Sequence, residues 1–208
     1  INYLHMKKII LLLFAVSFGV VQYAAAQKFS TALQLGWSAP KGEAFNYDEN
    51  SGAKGGLGYS IDLLYYLPTL EQKLAVGLVY NGSLLFGGGT KAGSFDLDLY
   101  GLGLYGVKGQ YRFLNRKVSP YVAISTGLSH LETPSFLDEN GNLLIPGRNS
   151  FSLGLAPEVG VELGFFILSA TYFVPMKYKV WSVRKESAGT FQVSLGFRYS
   201  LDLKETKI

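Results

Sequence analysis

Residues 150–165 alternate apolar side chains with Ser, Gly, Ala and Glu, and this alternation constrains the fold more than any other feature of the chain. A repeat of two residues is the period of a β-strand, so the segment predicts a strand with two unlike faces. The weaker face carries small residues and an occasional charge, which suit the narrow lumen of a small barrel. The large apolar side chains then face lipid. The pattern therefore predicts a membrane β-barrel.

Seven further segments alternate in the same way, and each is about long enough to cross a bilayer at a tilt. The eight segments are 29–38, 57–66, 73–84, 95–113, 121–131, 150–165, 166–177 and 190–201. Long polar links follow the first, third, fifth and seventh segments, and short links follow the second, fourth and sixth. This alternation is typical of external loops and periplasmic turns, and the even strand number fits bacterial barrels. We predict an all-β fold, an eight-stranded antiparallel up-and-down transmembrane β-barrel.

The start of the sequence has the organisation of an export signal. A basic pair at 7–8 is followed by an apolar run over 9–21 and by alanines at 24–26. The apolar run is shorter than the roughly 20 residues that a spanning helix needs. We therefore expect residues 1–26 to be a leader and cleavable signal peptide, and residues 27–208 to form the outer-membrane β-barrel domain.

Composition narrows the possible function classes. With the signal removed, the net charge is (19 − 2) − 15 = +2, which indicates no nucleic-acid partner. The absence of cysteine excludes a disulfide-stapled secreted module and zinc sites built on thiolates. No apolar run after the signal approaches spanning length, so a membrane domain must be built from strands.

The alternation places a set of charged side chains on the inward face. They are Asp62, Asp96, Asp98, Lys108, Arg112, Glu158, Glu162 and Arg198. Because an unpaired charge is costly in a narrow lumen, we expect opposite charges to pair and to plug the interior. A proton or ion pathway is the alternative interpretation of the same residues.

Aromatic side chains recur near the ends of the outward faces. We expect two girdles at the membrane interfaces, and the candidate residues are Phe29, Trp37, Tyr59, Tyr65, Phe191 and Tyr199. Phe29 and Trp37 lie eight residues apart on one face. At about 3.3 Å per residue and a tilt near 40°, this spacing corresponds to roughly 20 Å of height, near the thickness of the apolar band.

Some features fit regular strands poorly. Pro157 and Pro175 lie inside the sixth and seventh segments, where each removes a hydrogen-bond donor from the ladder. We expect β-bulges at both prolines. The segment 95–113 is longer than one crossing needs, so that its first part either extends beyond the membrane or belongs to a loop.

Two motifs have the form of chemical sites. Gly101, Gly103 and Gly106 match a dinucleotide-binding pattern, but the following residues continue a strand where that motif needs a helix. These glycines more simply relieve crowding beside bulky neighbours in the barrel wall. Ser129 and His130, with Glu132 nearby, hint at hydrolytic chemistry, but alternation puts Ser129 on the opposite face from His130. We expect no enzymatic activity, no cofactor and no metal site.

The chain resembles the small outer-membrane β-barrel proteins of the OmpA/OmpX-like type. The resemblance rests on the Ala-Ala-Ala-Gln sequence at 24–27, the eight alternating segments and the terminal Phe-Gln-Val-Ser-Leu-Gly-Phe-Arg-Tyr-Ser-Leu at 191–201. The Tyr-Gly-Leu-Gly-Leu-Tyr-Gly sequence at 100–106 is similar to members of the Bacteroidota "porin family". The resemblance implies an outer-membrane location and a final strand that is read by the barrel-assembly machinery.

These observations predict an integral outer-membrane protein with a structural or surface-interaction role. Outer-membrane lipid and lipopolysaccharide are the expected partners, and the external loops are candidates for binding a protein or host ligand. Charged loop residues include Lys41, Asp48, Glu49, Lys54, Arg148 and Lys185. Two other functions stay open, namely a narrow pore for small solutes and a soluble lipocalin-like barrel that binds an apolar ligand inside. A lipid-modifying enzyme built on Ser129 and His130 is a third.

Overall fold

The computed structural model describes residues 27–45, 52–88, 97–137, 143–179 and 185–203, and the expected signal peptide lies outside these ranges. Eight long strands dominate. They are β1 (Gln27–Lys41), β2 (Ala53–Tyr66), β3 (Leu74–Gly88), β4 (Leu97–Arg112), β5 (Val118–Thr133), β6 (Arg148–Leu163), β7 (Phe166–Lys179) and β8 (Lys185–Leu203). No helix in the described part of the chain is long and apolar enough to cross a membrane.

Each strand pairs antiparallel with its neighbours in sequence, and β1 pairs with β8 to close the barrel. The predicted fold class is confirmed. The stagger of the strands is found by following paired residues once around the barrel. The path starts at Lys28 and ends at Ser38, which is 38 − 28 = 10 residues further along β1; it passes through residues 66, 75, 110, 123, 158, 171 and 192. A shift of this size corresponds to strands tilted by about 40°.

The two ends of the barrel differ in their connections. Short links join β2 to β3, β4 to β5 and β6 to β7, and we name this side the turn end; we name the other side the loop end. Gly164 has a φ of 68° in the two-residue link between β6 and β7, a conformation that favours glycine. The tight turn that the sequence predicts near Gly164 is therefore present. Long connections at the loop end match the external loops that the sequence predicts, so we expect the turn end to face the periplasm.

Most strands extend further toward the loop end than the sequence pattern predicts. Strand β1 continues to Lys41 and β8 begins at Lys185. The strands continue beyond the membrane, where the outward side chains need not be apolar. The alternation of apolar residues therefore underestimates strand length. Two short strands, Phe136–Leu137 and Leu143–Ile145, form a separate hairpin in the loop between β5 and β6. Strand β4 begins at Leu97, so Phe95 lies outside the described residues.

The two prolines have different outcomes. At Pro175 the register between β7 and β8 shifts, with Val174 and Pro175 opposite the single residue Gly189, so the predicted bulge is confirmed. At Pro157 the prediction is wrong. Pro157 pairs in regular register with Ile124 of β5, and the ladder to β7 ends at Glu158, the residue next to the proline. The ladder toward β7 thus stops where Pro157, which has no N–H donor, would be the next residue to pair.

The faces of the barrel follow the predicted orientation. Leu153, Leu195 and Phe197 are 78, 58 and 56% exposed on the outside. Glu158 and Arg198 are 3 and 6% exposed and lie inside. The bulky apolar side chains therefore surround the barrel, and the charged side chains fill its interior.

Candidate functional site in the barrel lumen

The turn half of the lumen contains a continuous chain of charges of alternating sign. In order, it runs through Glu158, Lys108, Asp62, Arg198, Glu162 and Arg112. All six residues are buried. They come only from the even-numbered strands β2, β4, β6 and β8, so the chain crosses the lumen and does not follow the wall. Three carboxylates balance three cations.

Distances within this chain are those of direct ion pairs. The Lys108 Nζ atom lies 2.8 Å from Glu158 Oε2 and 3.1 Å from Asp62 Oδ2. Arg198 also contacts Asp62, at 3.2 Å, and pairs with Glu162. Arg112 Nη1 lies 3.3 Å from Glu162 Oε2. Since the local dielectric constant is low, each pair depends on its partners remaining in place.

Neutral side chains complete the hydrogen bonding of this chain. The Tyr121 hydroxyl donates to Glu158 at 2.6 Å, and the Gln110 amide donates to Glu162 at 2.8 Å. Arg198 donates to Gln110 and to the Tyr66 hydroxyl, both at 3.2 Å. Charges taken out of water are stabilised only when such additional hydrogen bonds are present.

Two of the predicted lumen charges do not join the chain. Asp96 lies outside the described residues. Asp98 is near the loop end of β4, on the same side of the strand as Lys108 but ten residues before it. That separation is about 33 Å along a strand, too far for contact with Lys108. The structure brings the remaining six predicted charges into one chain.

Neutral polar side chains lie beside the charges and above them, toward the loop end. The Ser38 hydroxyl donates to Ser83 at 2.8 Å, and Ser83 lies 3.2 Å from the Thr190 hydroxyl. Ser169 donates to the Gln34 amide oxygen at 2.7 Å. These residues are buried, and short side chains of this kind fit a lumen that has little free space.

The loop half of the lumen is filled by an apolar cluster. Its buried members are Ala44, Phe45, Ala53, Leu85, Tyr100, Leu102, Leu104, Leu131, Ala156, Phe173, Tyr178 and Ala188. Phe45 belongs to a short 3-10 helix, Glu43–Phe45, in the link after β1. It is 1% exposed and packs edge-on against Tyr100, with ring centroids 5.9 Å apart. The start of the first loop, residues 42–45, therefore folds back over the lumen, and the Phe45 ring packs in its loop half.

Sequence reasoning missed this apolar plug. Phe45 lies in a link that we predicted to be long and polar, and no repeat of two residues extends through it. The only signal is a large aromatic residue among Gly, Ala, Glu and Asn.

The candidate interface aromatics lie on the outside of the barrel. Phe29, Tyr65 and Tyr199 are near the turn end, where the Phe29 and Tyr65 rings are 5.1 Å apart. Trp37, Tyr59 and Phe191 are nearer the loop end. The Tyr59 and Tyr80 hydroxyls lie 3.0 Å apart, and stacked rings continue the row from Tyr80 through Tyr105 to His130.

The hydrolytic candidates are separated by the barrel wall. Ser129 points inward, where its hydroxyl lies 2.6 Å from that of Tyr178 and donates to the Gly103 carbonyl. His130 points outward and stacks on Tyr105, with Glu132 exposed on the same face. A Ser-His pair is therefore not formed. Gly103 is explained by the same arrangement, because a Cβ atom there would lie 2.2 Å from the His130 ring.

Comparisons with known proteins identify the fold. No protein-family model matches the chain, and no curated protein matches it. Among solved structures, Neisserial surface protein A is 18% identical with a TM-score of 0.51, and the match covers 82% of this chain and 95% of that one. Ail of Yersinia pestis in complex with the heparin analogue sucrose octasulfate is 17% identical, with a TM-score of 0.48 and coverages of 84 and 100%. A major outer membrane protein from Thermus thermophilus is 14% identical, with a TM-score of 0.46 and coverages of 85 and 100%.

The likeness to Neisserial surface protein A shows the fold alone, that of a small eight-stranded outer-membrane barrel. The chain's own surface gives the location. Its eight strands close into one barrel, and its exterior is an apolar band while charges occupy the interior. These are the requirements for a barrel that spans a bacterial outer membrane.

Proposed function

We propose that this outer-membrane barrel acts as a closed structural and surface-interaction protein, without a diffusion pore. The observation that carries the proposal is the continuous filling of the lumen. The turn half is crossed by the alternating charge chain, and the loop half is closed by the apolar cluster around Phe45. An eight-stranded barrel has an interior just wide enough for such side chains.

The alternatives fit these contacts less well. A narrow pore needs a continuous wet path, yet Phe45, Leu102 and Leu104 are buried across the loop half. A soluble lipocalin-like barrel needs an apolar lumen and a polar exterior. Here the buried charges occupy the turn half of the lumen, and residues such as Leu153 are exposed outside.

Planar-bilayer recording tests the closed lumen. We expect the refolded full chain to give no stepwise conductance, whereas an open general porin inserted in the same bilayers gives clear steps. Heat-modifiable gel mobility shows that the tested protein is folded and closed. Steps of defined size whose ion selectivity changes in Lys108→Met would contradict the proposal, because they would place a conducting path beside the charge chain.

Exposed cations near the loop end support contact with lipopolysaccharide. They are Lys41, Lys54, Arg148, Lys177, Lys179 and Lys185. Asp48 and Glu49, also predicted as charged loop residues, lie outside the described residues. Phosphate groups of the outer leaflet are attracted by lysine and arginine at this height.

Co-purified lipopolysaccharide provides the measurement. We expect the variant Lys54→Gln/Lys177→Gln/Lys179→Gln to retain several-fold less lipopolysaccharide than the native protein after extraction in mild detergent. The matched control Lys28→Gln/Arg116→Gln/Lys117→Gln removes the same charge at the turn end and should retain the native amount. Equal retention by all three proteins would refute a specific contact at the loop end.

A further inference from the structure

A basic cavity opens at the turn end of the barrel, below the charge chain. Its volume is about 310 Å³, which is at the lower end of the range of ligand pockets. Five cations line it, namely Lys28, Arg112, Arg116, Lys117 and Arg198, with Glu162 as the one carboxylate among its lining residues. We name it the periplasmic basic pocket.

The positive charge of this pocket is not cancelled by the charge chain. Arg112 and Arg198 already belong to that chain, in which three acids balance three cations. Lys28, Arg116 and Lys117 therefore add three positive charges at the rim. Among the residues whose side chains the structure describes, none of these three forms an ion pair. A site with this surplus favours an anion with more than one negative charge.

One buried tyrosine holds the cations of the pocket in position. The Tyr66 ring lies 4.4 Å from the Arg112 guanidinium and 5.6 Å from the Lys28 ammonium. The Tyr66 hydroxyl accepts a hydrogen bond from Arg198 at 3.2 Å. Arg112 is fixed further by donating to the Gln72 carbonyl at 3.1 Å. The positions of these three cations are therefore set before any ligand arrives, which reduces the entropic cost of binding.

Both arginines retain unused hydrogen-bonding capacity. Each is 6% exposed and lines the pocket, and the Nε atom of each has no hydrogen-bond partner among the described residues. A buried N–H group without a partner is costly, and an anion or a water that reaches it recovers that cost. Guanidinium groups match the oxygens of phosphate in geometry as well as in charge.

We propose that the periplasmic basic pocket binds a phosphate group, presented by a free phosphate or by the headgroup of an anionic phospholipid of the inner leaflet. The surplus charge favours a phosphate over a single carboxylate. The position of the pocket at the turn end makes it accessible from the periplasm and from the adjacent headgroups.

Isothermal titration of the refolded full chain with inorganic phosphate, in a non-ionic detergent at low ionic strength, tests the proposal. We expect saturable binding of one phosphate per protein. The variant Lys28→Gln/Arg116→Gln/Lys117→Gln should bind about tenfold more weakly or worse, because each removed charge loses Coulomb attraction. These side chains lie at the rim, outside the charge chain, and heat-modifiable mobility verifies folding.

The matched control Lys41→Gln/Lys54→Gln/Lys185→Gln removes three exposed cations from the loop end and should bind phosphate as the native protein does. Absence of binding by the native chain, or equal weakening in both variants, overturns the proposal. Nanodiscs distinguish the two sources. If phosphatidylglycerol abolishes the phosphate titration that is seen in phosphatidylcholine, the headgroup occupies the pocket; if both lipids give the same titration, the free anion is the ligand.

Discussion

The two halves of the lumen are filled by different kinds of side-chain contact. In the turn half, six charges from four strands form directional ion pairs. In the loop half, apolar side chains pack together, and one of them, Phe45, belongs to a loop. Ion pairs that cross the lumen tie strands to one another, so damage there destabilises the whole barrel. Apolar packing has no fixed direction, so a loop can leave it while the strands remain paired.

The largest expected effect is in the turn half. Lys108→Met leaves Glu158 and Asp62 without their shared cation, and we expect the free energy of unfolding to fall by about 3 to 5 kcal/mol. Urea titration in lipid vesicles, followed by tryptophan fluorescence, measures the change. The same replacement at exposed Lys177 is the control. Similar small losses in both variants would remove the distinction between a buried chain and ordinary surface charge.

A smaller effect is expected in the loop half. Phe45→Ala removes a fully buried ring, and we expect a loss of about 2 kcal/mol in the same urea titration. Because the loop can detach alone, faster protease cleavage in the first loop should accompany this loss, while bilayer conductance stays absent. Glu43→Ala, an exposed neighbour in the same short helix, is the control. A loss as large as that of Lys108→Met would show that the loop half also controls global stability.

A single neutral hydrogen bond sharpens the comparison. Tyr178→Phe removes the hydroxyl that contacts Ser129 but leaves Ser129 donating to the Gly103 carbonyl. We expect a loss of about 1 kcal/mol in unfolding free energy, since one neutral hydrogen bond contributes about that amount.

Ser129→Ala should leave the composition of outer-membrane lipid unchanged. Altered lipid in that variant would instead support a lipid-modifying activity.

The smallest effect belongs to an exposed pair outside both halves. The hydrogen bond and the charge of Lys73 lower the pKa of Glu71 in the turn between β2 and β3, where Nζ and Oε2 are 2.7 Å apart. Stability from a lowered carboxyl pKa is present above the unfolded pKa and is lost as the pH falls through the folded pKa. Solvent screens this pair, so we expect no measurable change in unfolding.

Lys73→Gln should return the pKa of Glu71 toward its ordinary value of 4.5, as followed by the carboxyl carbon shift in NMR. Leu70→Gln in the same turn removes no charge and is the control. An unchanged Glu71 titration in Lys73→Gln would mean that the contact is not maintained in solution.

The sequence predicts the wall of the barrel better than its contents. Alternation identifies every strand of the barrel, though not the short hairpin in the loop between β5 and β6, because lipid on one side and a narrow lumen on the other impose a repeat of two residues. The same alternation places Asp62, Lys108 and Arg198 on the inward face, but it contains no information about which charges meet. That pairing depends on the register and tilt of strands that are distant in sequence.

The errors have a common origin. Phe45 was missed because a residue that folds back from a loop belongs to no repeat. At Pro157 the sequence predicts a bulge, but the register to β5 is regular and the ladder toward β7 ends at Glu158 instead, which the sequence does not show. The periplasmic basic pocket was missed because Lys28 and Lys117 come from distant parts of the chain, and only closure of the barrel brings them to one opening.

Because the six lumen charges come from β2, β4, β6 and β8, they become paired only as the barrel closes. Arg198 joins Asp62 across 136 residues of chain, and it lies in β8, the strand that closes the barrel against β1. Until β8 arrives, Asp62 and Glu162 each lack a partner that they have in the finished protein. A sheet that has not yet closed would therefore expose unpaired charges to the hydrocarbon, so its entry into the bilayer is unfavourable. Pairing of β8 with β1 is then the step that neutralises the charges of the interior.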